Sequence, residues 1–277
     1  MPPLEALSSQ RHAGLYWQGF TDYHFAAERT LVPLVAAELP RALGALPLAF
    51  ACERERWLLV AVLGTQPQQN AFVGAQGQWL AGYVPAYLRT QPFVLVQSSE
   101  EAYTVALERD SACVGNATNG GQPLFTGDGH PAEETQQILA FLRRLAHQRA
   151  ATDAACQALN AAGVLTPWPF HNVESDRPEQ RPQGLYRVCE SRLKQLPDHV
   201  LSSLCHQGAL SIAYAQLLNQ SAAHELFPSS PVESLKATGN DSPSLGDVAA
   251  LFDNDDDMRF NFEDVSLIHI SEPTRPY

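Results

Sequence analysis

The chain has no closely spaced cysteine pair, no window of about 18 apolar residues, and fewer basic than acidic side chains. Each absence excludes a class of protein. The five cysteines, Cys52, Cys113, Cys156, Cys189 and Cys205, are odd in number and far apart. A disulfide framework or zinc ribbon needs pairs at short spacing, so the expectation is free buried thiols in a reducing compartment. Without a long apolar window, no membrane insertion is expected. The opening MPPLEALSSQRHAG lacks the basic stretch and apolar run of an export signal. The chain therefore reads as cytoplasmic. Lys and Arg number 18 against 30 Asp and Glu, a formal charge of −12, which argues against nucleic acid as a partner.

Recognisable catalytic and metal motifs are also missing. Gly-x-Ser-x-Gly, the nucleophile elbow of α/β-hydrolases, does not occur. His-Glu-x-x-His does not occur either, and His130-Pro-Ala-Glu133-Glu134 lacks the second histidine of a zinc protease. Glu133 and Glu134 instead suit a helix's first turn, where negative charge meets the positive end of the macrodipole. Cys205 and His206 are adjacent, so on a helix their side chains diverge by about 100° and make no ready thiolate–imidazole pair. Cys205 reads as a core residue. Gly115–Gly129 is glycine-rich but has no Lys or Arg and no Gly-x-Gly-x-x-Gly, which disfavours a phosphate cradle. Asp253, Asp255, Asp257 and Asp264 match the acidic positions of a calcium loop, yet Met258 stands where that loop needs glycine. Neither a metal nor a cofactor is expected.

What is present is a folded body followed by a different kind of chain. Short apolar runs at Leu46–Cys52, Trp57–Val62, Ala71–Val73, Phe93–Gln97 and Tyr103–Leu107, joined by polar turns, predict antiparallel strands. An edge strand is expected over Gly14–Phe20, and a helix over Ala36–Gly44 is bent or broken by Pro40. Pro131 opens the longest helical pattern, with Ile138, Leu139, Phe141, Leu142 and Leu145 on one face, running to about Ala162 and capped by Gly163. An exposed loop is expected over His171–Gln183, a strand at Leu185–Val188, and helices at Asp198–Gln207 and Ala209–Gln220. The fold class is α+β, mainly antiparallel sheet in the N-terminal half and helical in the C-terminal half. From Asp241 to Asp264 there are eight acidic residues and one arginine, or −7, so more than half of the net charge lies there. Residues 221–265 read as a disordered acidic tail, too poor in apolar area to offset ordering entropy. Residues 266–277, SLIHISEPTRPY, resemble translated sequencing-adapter read-through and are expected to be a non-native extension.

The richest stretch is Asn70–Phe93, NAFVGAQGQWLAGYVPAYLRTQPF. Gly74 and Gly77 allow a tight reversal before Trp79 on a return strand. Tyr83, Val84, Tyr87 and Leu88 recur at helical spacing, with Pro85 in the first turn and Arg89 closing the helix against its C-terminal carbonyls. Trp79, Tyr83, Tyr87 and Phe93 read as packing residues or as a ligand surface. Arg89 beside the tyrosines could hold a carboxylate. His24, placed on a strand with Phe25, could be buried or line a pocket. The ligand-binding candidates are thus Tyr83, Tyr87, Arg89, Trp79 and His24.

The order Asn-x-Phe-Val, Gly-x-Trp, Tyr-Val-Pro-Ala-x-Leu-Arg and Pro-Phe in that stretch resembles the bacterial SapC family. Upstream, Tyr23-His24-Phe25-Ala26, Val32-Pro33-Leu34, Glu38, Pro47, Phe50 and Leu63-Gly64 follow the family's spacing. Downstream, Pro123-Leu124-Phe125, Phe141-Leu142, the run from Leu196-Pro197-Asp198 to Gly208-Ala209-Leu210, and Tyr214-Ala215 continue it. Gln91 departs from the pattern, which has an aromatic residue before Pro-Phe. The resemblance implies a SapC-like domain over residues 1–220. It also implies an accessory or binding protein of Gram-negative bacteria, tied to surface-layer, export or tryptophan-halogenase-type systems, with a protein partner and no catalytic residue to carry over. Two other readings stand beside it. One is an enzyme, peptidase-like or small-molecule-modifying, assembled from residues distant in sequence. The other is an aromatic pocket for an amino-acid-like or peptide ligand.

Overall fold

Residues 4–97, 103–109, 111–116, 121–168, 184–226 and 268–269 are described by the computed structural model. β1 (Leu4–Ala6) and the single turn α1 (Ser9–His12) lead into β2 (Tyr16–Trp17). A 3-10 turn at His24–Ala26 precedes β3 (Leu31–Pro33), and another at Ala36–Glu38 runs into α2 (Leu39–Ala42). Next come β4 (Leu48–Glu53), β5 (Arg56–Val62), α3 (Ala86–Arg89), β6 (Phe93–Gln97), β7 (Tyr103–Glu108), β8 (Val114–Gly115) and β9 (Gln122–Pro123). The helical half comprises α4 (Glu133–Ala161), α5 (Glu190–Lys194), α6 (Asp198–His206) and α7 (Ala209–Leu226), interrupted by β10 (Leu165–Pro167) and β11 (Leu185–Val188). β12 (Ile268–His269) comes last.

The main sheet has the order β10-β11-β4-β5-β3, and every pairing in it is antiparallel. Its central hairpin, β4–β5, turns through Arg54 and Glu55, whose φ angles of 48° and 66° give the left-handed turn that matches strand twist. Phe50, Leu59 and Ala61 point from these strands into a core shared with Cys156 and Leu159 of α4 and Ile212 of α7. Trp168 and Leu185 cover part of the other face, against Ala49, Val60 and Val62. A second sheet is built on β7, which pairs antiparallel with β1 and β6 and, at Tyr103 and Thr104, parallel with β12. Its core joins Phe93, Val105 and Leu107 to Leu139, Leu142 and Leu145 of α4. The N-terminal half of α4 therefore covers one core and its C-terminal half the other. Gly163, at φ 71°, ends it with the left-handed cap expected.

The fold is the α+β arrangement expected, with several local corrections. The predicted helix over Ala36–Gly44 is a 3-10 turn followed by α2, and Pro40 lies in the first turn of α2, where its missing N–H costs nothing. His24 lies in a 3-10 turn, not a strand. All five cysteines are free, but only Cys156 is buried. Burial pushes the Cys156 thiol up to about 12. Cys52, near the outer end of β4, is exposed, and so is Cys205, because on α6 the inward position beside it belongs to Leu204. β3, β10 and α5 are too short to leave a period in the sequence. α7 continues to Leu226, so the last helical turn includes residues that composition had assigned to the tail. The loop expected over His171–Gln183 and the tail beyond Leu226, the β12 pair excepted, lie outside the described residues.

Candidate functional site

Asn70–Phe93 crosses from the end of β5, in the first core, to the start of β6, in the second. Asn70 is 5% exposed and anchors the crossing: its Nδ2 donates to the Ala26 carbonyl at 3.0 Å, and its Oδ1 accepts from the Phe72 N–H at 2.8 Å. Val73 then bridges Trp79 across the expected reversal. Gly77 sits there at φ 78°, and a Cβ on it would lie 2.5 Å from Nδ1 of His24. That close approach, with the positive φ, demands glycine. Trp79 stacks on Phe72, packs near Tyr23, and donates from its indole Nε1 to the Tyr83 carbonyl at 2.8 Å. Pro85 caps α3 with extended ψ, one position earlier than the sequence suggested.

A buried carboxylate organises the next part of the crossing. Glu38 is 6% exposed and accepts three hydrogen bonds: from the Tyr83 hydroxyl at 2.8 Å, the Ala86 N–H at 2.6 Å and the Val35 N–H at 2.9 Å. The Val35 bond is half of a capping box. No ion pair joins Glu38 to a cation among the described residues. Burial and the neighbouring Glu38 charge push the Tyr83 hydroxyl above the ordinary tyrosine range, and Arg89 opposes them. Arg89 is exposed; its Nη2 reaches the Tyr83 hydroxyl at 3.4 Å, and its guanidinium lies 5.8 Å from the Tyr83 ring centre and 5.6 Å from that of Phe141 on α4. Both distances are within cation–π range.

Just past the C-terminal end of α3 a second buried carboxylate is arranged differently. Glu108, also 6% exposed, takes Arg29 as an ion-pair partner at 3.5 Å and a short hydrogen bond from the Gln91 amide. Arg29 in turn covers the Tyr87 ring at 5.8 Å. Gln91, the departure from the family pattern, thus supplies a polar group to a buried acid. The Gln91–Pro92 peptide bond is cis.

Of the residues singled out in the sequence, Trp79, Tyr83 and Arg89 share one connected patch, and Tyr87 lies on the same short helix but faces Arg29. Arg89 bonds a tyrosine hydroxyl rather than the terminal carbonyls of its helix. His24 is not part of this patch. It is exposed at the reversal, where its backbone N–H and Nδ1 both lie 3.0 Å from Oδ1 of Asp22. The backbone hydrogen bond, then the ring, hold Asp22 below the usual carboxylate range. Glu108, Arg29 and the ring of Phe141 as a partner of Arg89 were not found from the sequence. Their contacts are long-range, and no local spacing encodes them.

An enzyme assembled from residues distant in sequence would need polar groups such as His24, Arg89, His130, Glu133, His171 and Cys205 to converge. No hydrogen bond or ion pair joins any two of His24, Arg89, His130, Glu133 and Cys205, and His171 lies outside the described residues. No group of three or more His, Cys, Asp or Glu among the described residues could hold a metal ion. No helix among them is long and apolar enough to cross a membrane.

A chain with two cores bridged by one long helix and an aromatic crossing between them defines an α+β domain. The sequence model of the SapC family matches residues 7–226, from the end of β1 to the end of α7. The protein belongs to the SapC family. No curated protein and no solved structure matches it.

Proposed function

We propose that this SapC-family chain is a non-catalytic accessory protein that engages a protein partner through the outer side of the 70–93 crossing. The observation that carries this reading is Arg89. Its charge is exposed, lies over two aromatic rings, and has no carboxylate partner among the described residues. Beneath it, Glu38 fixes the Tyr83 hydroxyl, so the surface is held before any partner arrives. Leu80, 58% exposed, extends the same crossing with an apolar contact. Rigid aromatic and arginine groups with a preset geometry are typical anchors of protein interfaces. The family resemblance supports a partner within a surface-layer, export or halogenase-type system, and the free, widely spaced cysteines fit a reducing, cytoplasmic setting.

The test is photo-crosslinking in the native cell from a photoreactive residue at position 80, with Arg89 intact and as Arg89→Ala. A discrete crosslinked protein that disappears in Arg89→Ala is expected. No crosslink, or one indifferent to Arg89, overturns the reading, as does turnover of a substrate by the purified chain.

The open guanidinium over aromatic rings also favours a second reading, a carboxylate-bearing aromatic ligand. Calorimetric titration with N-acetyltryptophan and with its amide separates the two. Saturable binding of the acid alone, lost in Arg89→Ala, supports the ligand, and no saturable heat at millimolar concentration removes it.

A further inference from the structure

Acidic residues are missing from most of helix α4. Between Thr135 and Thr152, about five turns, it carries Arg143, Arg144, His147 and Arg149 and no Asp or Glu, in a chain whose net charge is −12. Arg149 is already used: it pairs with Asp153 at 2.9 Å, and Asp153 also takes Arg56 at 2.6 Å. Arg143 and Arg144 are exposed and make no hydrogen bond or ion pair among the described residues. They differ in direction. Arg144 follows Phe141 by three positions, so the two share one side of the helix, whereas Arg143 is turned about 100° from Arg144. Side chains on a helix lean toward its N-terminus, so that of Arg144 runs back toward the Phe141 ring.

That ring is where Arg89 arrives from α3, its guanidinium 5.6 Å from the ring centre. Two cations from distant parts of the chain therefore meet at one aromatic side chain, and neither has a carboxylate partner among the described residues. The acid that precedes Phe141 on this side of α4, Glu134, lies seven residues away, about 10 Å along the axis. Glu38, beneath Tyr83, is filled by its three donors and sets one negative charge against two positive ones. The two guanidinium groups repel each other in the free protein, and an anionic occupant relieves that repulsion. The planar fork of arginine fits carboxylate or phosphate. Nucleic acid would bring many phosphates to two cations on a chain of −12, which disfavours it. An acidic peptide segment needs only two carboxylates for the two guanidinium groups and one apolar side chain for the Phe141 ring.

We infer that Arg89 and Arg144 form a two-cation clamp over Phe141 for an acidic segment of a partner protein, one in which two carboxylates flank an apolar residue. This rests on the outer side of the crossing being a partner surface, and it names what the partner presents. Fluorescence anisotropy of the full chain with a labelled, N-acetylated Glu-Glu-Leu-Phe-Glu-Glu peptide tests it, beside the same peptide with Gln for Glu. Saturable binding of the acidic peptide alone is expected, weakening about 10-fold between low salt and about 0.5 M salt. Arg144→Gln and Arg89→Ala should each weaken it about 10-fold, and Arg143→Gln, which removes the same charge one position away, by less than about 2-fold. Arg144 is exposed and unpaired, so Arg144→Gln should leave the thermal midpoint unchanged. No saturable binding, equal binding of the glutamine peptide, or equal losses at positions 143 and 144 overturns the inference. Tighter binding of a labelled oligothymidine also overturns it, because the clamp would then be a phosphate site. A crosslink from position 80 that is lost in Arg89→Ala but kept in Arg144→Gln removes the clamp and leaves the partner surface standing. No crosslink at all removes the partner surface and the clamp with it.

Discussion

Glu38 and Glu108 bond the chain at the two ends of the single turn α3, through the Ala86 N–H and the Gln91 amide, and are equally buried at 6% exposure, each with an arginine and a tyrosine nearby. They are satisfied in different ways. At Glu108 the cation comes straight to the acid: Arg29 pairs with it at 3.5 Å and covers Tyr87. At Glu38 three neutral donors fill the carboxylate, one of them the Tyr83 hydroxyl, and Arg89 stops at the far side of that hydroxyl. The first arrangement uses up its cation inside the protein. The second leaves a cation facing water on a fixed aromatic support. Two sets of the same residue types thus divide into a brace and a surface, and the choice is made by which donors reach the acid.

Removing each acid is the most forceful way to break this comparison. Glu38→Ala leaves two buried N–H groups and a tyrosine hydroxyl without an acceptor, and should destabilise the protein by about 3–5 kcal/mol, read from denaturant unfolding. Glu38→Gln keeps the shape and one acceptor and should lose about half as much. A loss below about 1 kcal/mol for Glu38→Ala would mean that water replaces it and that the crossing is not held from beneath. Next in size is the brace. Arg29→Ala strands Glu108 with Gln91 alone, and about 2–3 kcal/mol is expected, reduced from a fully buried pair because the Arg29 side chain is 29% exposed. The double variant Arg29→Ala with Glu108→Gln should recover part of that loss, and simple additivity would show that the two do not interact.

The sequence carried some of this more clearly than the rest. α4 was legible because its apolar residues repeat at helical spacing over many turns, and Gly163 marked its end. The β4–β5 hairpin was legible as two apolar runs around a polar turn. Tyr83 and Arg89 could be singled out because aromatic and arginine residues cluster within a few positions. Glu38 stood out only through the family's spacing, since one acid at a helix start looks like any other. Glu108, Arg29 and Phe141 reach the crossing from other parts of the chain, so no local pattern could announce them. α7 was legible as a helix, but the roles of Gln216 and Asn219, which reach the backbones of β4, β11 and the loop before β4, are long-range and left no local pattern.

Tyr83→Phe sharpens the comparison through pH. The folded chain holds the Tyr83 proton more tightly than the unfolded chain, because burial and Glu38 disfavour phenolate. Above the ordinary tyrosine value of about 10 the unfolded state therefore releases this proton first, and stability falls as pH rises further. Below that value the contribution is fully present and flat. Tyr83→Phe should cost about 1–2 kcal/mol at neutral pH, from the lost hydrogen bond to a buried charge, and should flatten the alkaline decline. An unchanged alkaline slope would show that Tyr83 is not the group responsible.

The smallest expected effect on stability belongs to Arg89, and it separates the two arrangements most sharply. Its hydrogen bond to Tyr83 is long, its ring contacts are exposed, and no acid depends on it directly. Arg89→Ala should therefore change unfolding free energy by less than about 1 kcal/mol, well below Arg29→Ala. Arg89→Lys should be as stable as the parent but should not restore binding, because an ammonium lacks the planar face that lies over Tyr83 and Phe141. If Arg89→Ala instead destabilises as much as Arg29→Ala, both arginines are braces and the outer side of the crossing is not a surface kept for a partner. If stability is untouched and the crosslink from position 80 vanishes, the guanidinium is there for something outside the chain.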